Sequence, residues 1–408
     1  MDQPMKRIER TKLLDGEQGY RSWTMKYLSR LVIRDFGPFE ELEYAPGRVN
    51  VFVGRNNTGK SSILRAIDIA VNGNLDDIPN SHPMYGSGRH LIRSGKGAAI
   101  IEINDDTTYI FRDIASIHDS MRDSVLTRLS QELDAFYKDV PEDKKQDVIN
   151  YYLSKFDFIT VVSKNEVIFY PYPYGGPFDL NDLVNTYTRI VSGKSSEAEK
   201  TRLRYRFYEI FPFEKFPLEQ ARPDINVYYV SHSRKIDSPD FASDETELIK
   251  VEKFIKDNAL VENLQRLTAD SVIYSRDAGS TDEYQKIPYH MHGDGFISLL
   301  SILHYLLRAK DGILLIEEPE NHLHPQYLEV LVKTIFEYSE RLNVQVFITS
   351  HSYDLIHEVL EYPQLEEDPG SVHITRLQRA DDSIMKKEFS VERGKKVLNE
   401  LKLDLRGV

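Results

Sequence analysis

The stretch Val51-Phe-Val-Gly-Arg-Asn-Asn-Thr-Gly-Lys-Ser-Ser62 constrains this chain more than any other. An apolar strand runs into a glycine-rich turn and then into Ile63-Leu-Arg-Ala-Ile-Asp68, whose spacing predicts an amphipathic helix. Gly54, Gly59, Lys60 and Ser61 fill the pattern G-x-x-x-x-G-K-[ST] of a phosphate-binding loop. Its glycines take backbone conformations closed to other residues. The N–H groups from Gly54 through Arg55, Asn56, Asn57, Thr58, Gly59, Lys60, Ser61 and Ser62 can then turn inward on the β- and γ-phosphates. Lys60 offers those phosphates a point charge, Ser61 offers a hydroxyl to Mg2+, and the new helix adds its positive end. A glycine-rich turn without nucleotide is the bland alternative, and the strand before and helix after the loop argue against it.

A chain of 408 residues exceeds the usual size of one compact domain, which predicts two domains or one domain with an insertion. The net charge of -13 excludes a surface that is basic all over, so any grip on nucleic acid needs a local patch or a partner. With no cysteine there is no thiol nucleophile, disulfide or cysteine-ligated metal. No apolar run is long enough for a bilayer and the polar N-terminus lacks a signal-peptide pattern, so a cytoplasmic protein without membrane contact is expected.

Residues 1–25 read as a polar leader. Tyr27 to Arg34 and Phe39 to Tyr44 alternate as two paired strands about Gly37-Pro38, and Val49 to Val53 is the strand that delivers the loop. Ala98 to Asn104 and Thr107 to Arg112 make a hairpin, with Arg93 and Lys96 nearby as solvated strand-end charges or nucleotide contacts. Residues 113–224 read as an insertion. It carries a helical pattern at Leu126, Leu129, Leu133 and Phe136, a hairpin between Phe158 and Tyr170, and an aromatic loop from Tyr170 to Phe178. A basic cluster at Lys194, Lys200, Arg202, Arg204 and Arg206 completes it, a solvated helix face before a nucleic-acid contact. Beyond it, Ile225 to Val230 predicts a buried strand, Glu245 to Leu267 a long helix, Val272 to Tyr274 a strand, and Tyr284 to Tyr289 an edge strand because of Pro288.

Three more stretches make sense beside the loop. Ile313-Leu-Leu-Ile-Glu-Glu318 is a strand apolar enough for the middle of a sheet, and it ends in two acids. Alternation along a strand would aim those acids apart: Glu317 at Mg2+, directly or through water, and Glu318 as base for an attacking water. Val344 to Ser352 is another apolar strand, placing His351 to hydrogen-bond a γ-phosphate or that water. Gly293, Asp294 and Gly295 open an apolar helix whose N-terminus is an anion site, suited to ATP held by a facing copy of the chain.

In this order the motifs resemble the ABC-type ATPases of the SMC and RecF group, and within it the ATPase halves of OLD-family proteins and of anti-phage systems such as Septu and PARIS. Tyr27 to Ser62 resembles the N-terminal strands and Walker A, Ile313 to Glu318 Walker B, and Gly293-Asp-Gly295 the signature. Glu320-Asn-His-Leu-His-Pro325 is similar to the D-loop, a better account of His322 and His324 than a metal pair, and Ser350-His351 to the H-loop. The resemblance covers residues 26–112 and 225–408. It implies an α/β head, with a mixed central sheet flanked by helices and an N-terminal antiparallel β-subdomain, interrupted by a mainly helical insertion. In that reading Lys60, Glu318 and His351 are catalytic, Ser61 and Glu317 hold the metal, and ATP with Mg2+ is the cofactor pair. Glu317 stands where Asp is usual, which leaves open the acid that faces the metal, and no Q-loop glutamine is evident, so slow hydrolysis is implied.

The resemblance further implies homodimeric or larger assemblies through the heads. The stretch from His351 to Val408 is too short for the Toprim nuclease of OLD proteins, so a nuclease-like effector is expected as a separate protein. The leading expectation is an ATP-hydrolysing sensor or clamp controlling that effector in anti-phage defence. A RecF-like repair ATPase that binds DNA directly and a nucleotide-bound scaffold with little turnover are the alternatives.

Overall fold

The computed structural model describes residues 28–72, 91–104, 107–112, 156–163, 166–173, 225–231, 245–257, 261–275, 284–321, 323, 325–362 and 371–400, with isolated positions at 144 and 147. The leader, the predicted helices of the insertion, its basic cluster, and His322 and His324 lie outside the described residues.

The first strands are β1 (Leu31–Phe36) and β2 (Phe39–Tyr44), joined through Gly37 at φ 52°. In β2 only Phe39, Leu42 and Tyr44 are buried, the alternation of a half-covered antiparallel strand. After β3 (Val49–Val53) and α1 (Lys60–Asn72), β4 (Ala98–Ile103) and β5 (Thr107–Arg112) add to β1. A second hairpin, β6 (Phe156–Ser163) and β7 (Glu166–Pro173), extends the same antiparallel sheet to the order β2-β1-β4-β5-β6-β7. Part of the segment read as an insertion therefore continues the sheet of the head. Tyr170 to Pro173, expected as loop, belongs to β7, and its prolines are tolerated because β7 is an edge.

Next come β8 (Val227–Val230), α2 (Glu245–Asp257), β9 (Leu264–Leu267), β10 (Ser271–Ser275), β11 (Tyr284–Pro288) and α3 (Asp294–Arg308). The helix expected over 245–267 stops at Asp257. Leu264–Leu267 instead pairs with β10, and Asn263 enters that strand through a left-handed φ of 57°. The buried stripe Leu248, Val251, Phe254 and Ile255 is as expected, and β11 is the edge that Pro288 requires.

The chain closes with β12 (Ile313–Glu317), α4 (Pro325–Arg341), β13 (Gln345–Ser350), α5 (Tyr353–Glu361), β14 (Val372–Ala380), β15 (Ser383–Phe389) and α6 (Val391–Lys395). The central sheet has the order β15-β14-β3-β13-β12-β8 and is parallel except for β15. Expected as a buried strand, β8 is the sheet's edge and only half-buried.

Burial on both faces explains why β3, β12 and β13 are nearly continuous apolar runs. One face carries Val51, Val53, Leu314, Ile316, Val346 and Ile348 into a core shared with α2, α3, α4 and α5. The other carries Phe52, Ile313, Leu315 and Phe347 against α1 and the antiparallel sheet. This is the mixed sheet flanked by helices, with its antiparallel subdomain, that the motifs implied. Among the described residues no helix is long and apolar enough to cross a membrane.

Candidate functional site

In the parallel register Ser350 lies beside Val53, and Thr349 lies beside Glu317. Strand β13 thus stands between β3 and β12, and their C-terminal ends bring the glycine-rich loop, the paired acids and His351 to one sheet edge. Open α/β sheets bind ligands at this edge.

The loop leaves β3 at Gly54, where an added Cβ would stand 2.4 Å from the Leu377 carbonyl oxygen and 2.8 Å from Thr58 Oγ1. At Gly59, with φ 86°, it would stand 2.6 Å from Phe39 Cζ. Asn57 is left-handed at φ 62°, and the Thr58 hydroxyl donates to the Arg55 carbonyl at 2.8 Å. Arg55, Asn56 and Asn57 are exposed at the loop tip. Since α1 begins at Lys60 and its first closing bond is Ile63 N–H to Gly59 O at 3.1 Å, the N–H groups of Lys60, Ser61 and Ser62 are those a helix leaves without an internal acceptor.

Lys60 is buried, and its Nζ donates to the carbonyls of Gly54 and Arg55, each at 3.0 Å. Burial pulls its pKa below the usual lysine value, while Glu318, Glu320 and Glu317 act in the opposite sense.

Strand β12 ends at Glu317, and Glu318 turns into left-handed backbone at φ 48°. Strand alternation, expected to separate the two acids, therefore does not set their directions; their partners do. The Tyr229 hydroxyl donates to Glu317 Oε2 at 2.8 Å, and burial, followed by Glu317, pushes the Tyr229 pKa far above its ordinary value. Glu318 Oε2 accepts from Asn321 Nδ2 at 3.1 Å, and its Oε1 lies 3.3 Å from His351 Nδ1. Glu318 N–H donates to the Thr349 carbonyl at 3.0 Å, so the turn is held to β13. Sequence reasoning missed Tyr229, and it placed Glu320 and Asn321 in the D-loop resemblance without their contacts to His351 and Glu318. Only the third acid of Glu-Glu-Pro-Glu signalled its role.

Gly293 caps α3 in extended backbone at φ -64°, with nothing within 4 Å of an added Cβ, and both it and Asp294 are exposed. Gly295 follows in the first turn, half-buried. Close approach is possible here because the surface is open, and no left-handed conformation calls for glycine.

The donors present fit the expected cofactors. The N–H groups of Lys60, Ser61 and Ser62 at the start of α1, together with the Lys60 cation, are donors that suit phosphate oxygens. A Cβ at Gly54 or Gly59 would collide with the walls that hold the loop in this shape. Mg2+ takes one or two protein oxygens together with phosphates and water, which Ser61 and Glu317 suffice to supply. Among the described residues no group of three or more acids, histidines or cysteines could hold a metal by itself. A cavity of about 250 Å³ flanks the loop, between Arg55, Asn56, Asn57 and Thr58 and the β14 residues Arg376, Leu377, Gln378 and Arg379.

The uncharacterized protein MJECL11 of Methanocaldococcus jannaschii is 33% identical over 115 residues, covering 28% of this chain and 99% of that protein. Endonuclease GajA of Bacillus cereus is 21% identical over 376 residues, covering 78% of this chain and 53% of the relative, so the chain spans about half its length. An SMC head domain from Thermotoga maritima superposes with a TM-score of 0.41 at 13% identity, covering 89% of this chain and 99% of that one. An SMC head bound to the C-terminal winged-helix domain of ScpA superposes with a TM-score of 0.42 at 12% identity, covering 90% and 99%. The family described as "AAA domain, putative AbiEii toxin, Type IV TA system" matches residues 49–357, well over half the chain, and this protein belongs to it.

Proposed function

We propose that this chain binds ATP with Mg2+ at Gly54 to Ser62 and hydrolyses it to ADP and phosphate. Two copies close on one another over the nucleotide, and the closed pair holds or releases a separate effector. The observation that carries the reading is Lys60: a cation buried against the loop's own carbonyls and facing three glutamates across the sheet edge. A structural lysine would be cheaper at the surface, whereas one that meets phosphate must be held here.

Within this reading Ser61 and Glu317 hold the metal, with Tyr229 fixing the Glu317 carboxylate. Glu318 accepts the proton of the attacking water and His351 orients it, their side chains 3.3 Å apart. Gly293 to Gly295 offer their exposed helix start to nucleotide on the facing copy. The similarity to Endonuclease GajA supports a nuclease as the class of effector; anti-phage defence as the setting rests on the motif resemblance alone.

The test is the solution mass of Glu318→Gln by light scattering, with and without Mg-ATP, alongside phosphate release by the unaltered protein. Loss of the base should trap the nucleotide-bound state, so the mass is expected to rise with Mg-ATP. A mass that stays monomeric in a protein that demonstrably binds ATP overturns the closing of two copies, an unchanged larger mass means that ATP acts inside a standing assembly, and no phosphate release overturns hydrolysis.

A further inference from the structure

We infer that Glu320 is a positioning residue that sets the His351 ring opposite Glu318, holding both the backbone that carries the histidine and the Nδ1 edge of its ring. The inference rests on the ATPase reading above. The Glu320 side chain is only 6% exposed. A single oxygen, Oε1, accepts from Ser350 Oγ at 2.7 Å, His351 N at 2.9 Å and Ser352 N at 3.1 Å, and it also lies 3.5 Å from His351 Nδ1. All three donors lie where the chain leaves β13. Ser352 in turn caps α5, its hydroxyl accepting from Leu355 N–H at 3.3 Å.

Holding the two strands together needs no such acid. The parallel ladder from Ile313 beside Gln345 to Glu317 beside Thr349 already joins them. Burying a carboxylate is costly unless donors meet it, and the other oxygen of Glu320 is buried without a hydrogen-bond partner among the described residues. What Glu320 adds lies past the ladder: it sets the direction in which β13 runs into His351. The same short turn sends Asn321 to Glu318 Oε2, so Glu320 and Asn321 aim both members of the Glu318–His351 pair. A carboxylate accepting backbone N–H groups makes charge-assisted bonds, strong enough to hold a loop that must not drift during turnover.

The experiment compares Glu320→Ala, Glu320→Gln, His351→Ala and the double alanine variant by steady-state ATP turnover and thermal melting. Glu320→Ala is expected to lower kcat by about tenfold with KM little changed. Glu320→Gln keeps an acceptor oxygen and should recover most of that loss. Because Glu320 acts through His351, the double variant should be no slower than His351→Ala alone. Losses that multiply in the double variant, a rise in KM at unchanged kcat, or Glu320→Ala turnover equal to that of the unaltered protein overturn the inference. If Glu320→Ala fails to fold, Glu320→Leu, which keeps the bulk and removes every acceptor, takes its place in the cycle, joined by the His351 ring resonances in 1H–15N spectra. These resonances should move further in Glu320→Leu than in Glu320→Gln, and equal or absent movement in the two overturns the inference. If the unaltered protein releases no phosphate, the ATPase reading fails by itself, and the same resonances decide the role of Glu320.

Discussion

Lys60 holds its charge in a place where burial opposes it, and its pKa falls below the usual lysine value of 10.5 for that reason first. A folded-state pKa below the unfolded one means that the unfolded chain binds more protons between the two values, so stability rises with pH in that window. Below the window both states carry the charge and the full cost is present. Lys60→Met is therefore expected to melt no lower than the unaltered protein at neutral pH without nucleotide, and to lose ATP binding. The melting difference should shrink as pH approaches 10.5. Thermal melts over a pH series check the first point and titration with a fluorescent ATP analogue the second. A clear drop in melting temperature at neutral pH would mean that the bonds to the Gly54 and Arg55 carbonyls outweigh desolvation. Such a trade of stability for chemistry is common at sites that must hold an unfavourable group.

Between elements, the decisive contact is that of β2 with the loop. Phe39 is fully buried, and its ring stands where a Cβ on Gly59 would have to go. The antiparallel sheet is thus a wall of the phosphate loop as well as a cover for its core. Phe39→Ala should cost about 3–5 kcal/mol of stability, the usual range for emptying a core phenylalanine site. It should also weaken ATP binding in the protein that remains folded, because the wall behind Gly59 is gone. Denaturant unfolding and nucleotide titration measure the two separately. Unchanged affinity in the folded fraction would show that the loop holds its shape unaided. Tyr229 plays the matching part on the far side of the sheet edge, where β8 hands a hydroxyl to Glu317 across β12.

For the assembled protein, the prediction concerns the exposed start of α3. Gly293 has ordinary extended backbone and open space around it, so Gly293→Trp should leave the melting temperature unchanged. If a facing copy closes on this surface, the added ring stands in its way. The mass increase expected of Glu318→Gln with Mg-ATP should then be lost in the Glu318→Gln, Gly293→Trp double variant. A full increase in that variant would mean that the copies meet elsewhere.

The loop was readable in linear order because its geometry is short-range. Gly54 and Gly59 mark the two places where a Cβ would collide, and Lys60 begins the helix that follows. The apolar runs at Val49–Val53, Ile313–Glu317 and Gln345–Ser350 likewise announced strands covered on both faces, because burial leaves its mark on each residue separately. Periodicity misled over Leu264–Leu267, where buried leucines three apart share a face on a helix but pairing with β10 chose the strand. The hairpin β6–β7 was legible, but its addition to β5 depends on an edge formed by distant residues. Tyr229 meets Glu317 across 88 positions of sequence, and Glu320 meets His351 across 31. Such pairs arise from strand order and register, which belong to the whole sheet. Backbone turns and burial patterns are written residue by residue, but the partners of Glu317, Glu318 and Glu320 exist only once β8, β12 and β13 lie side by side.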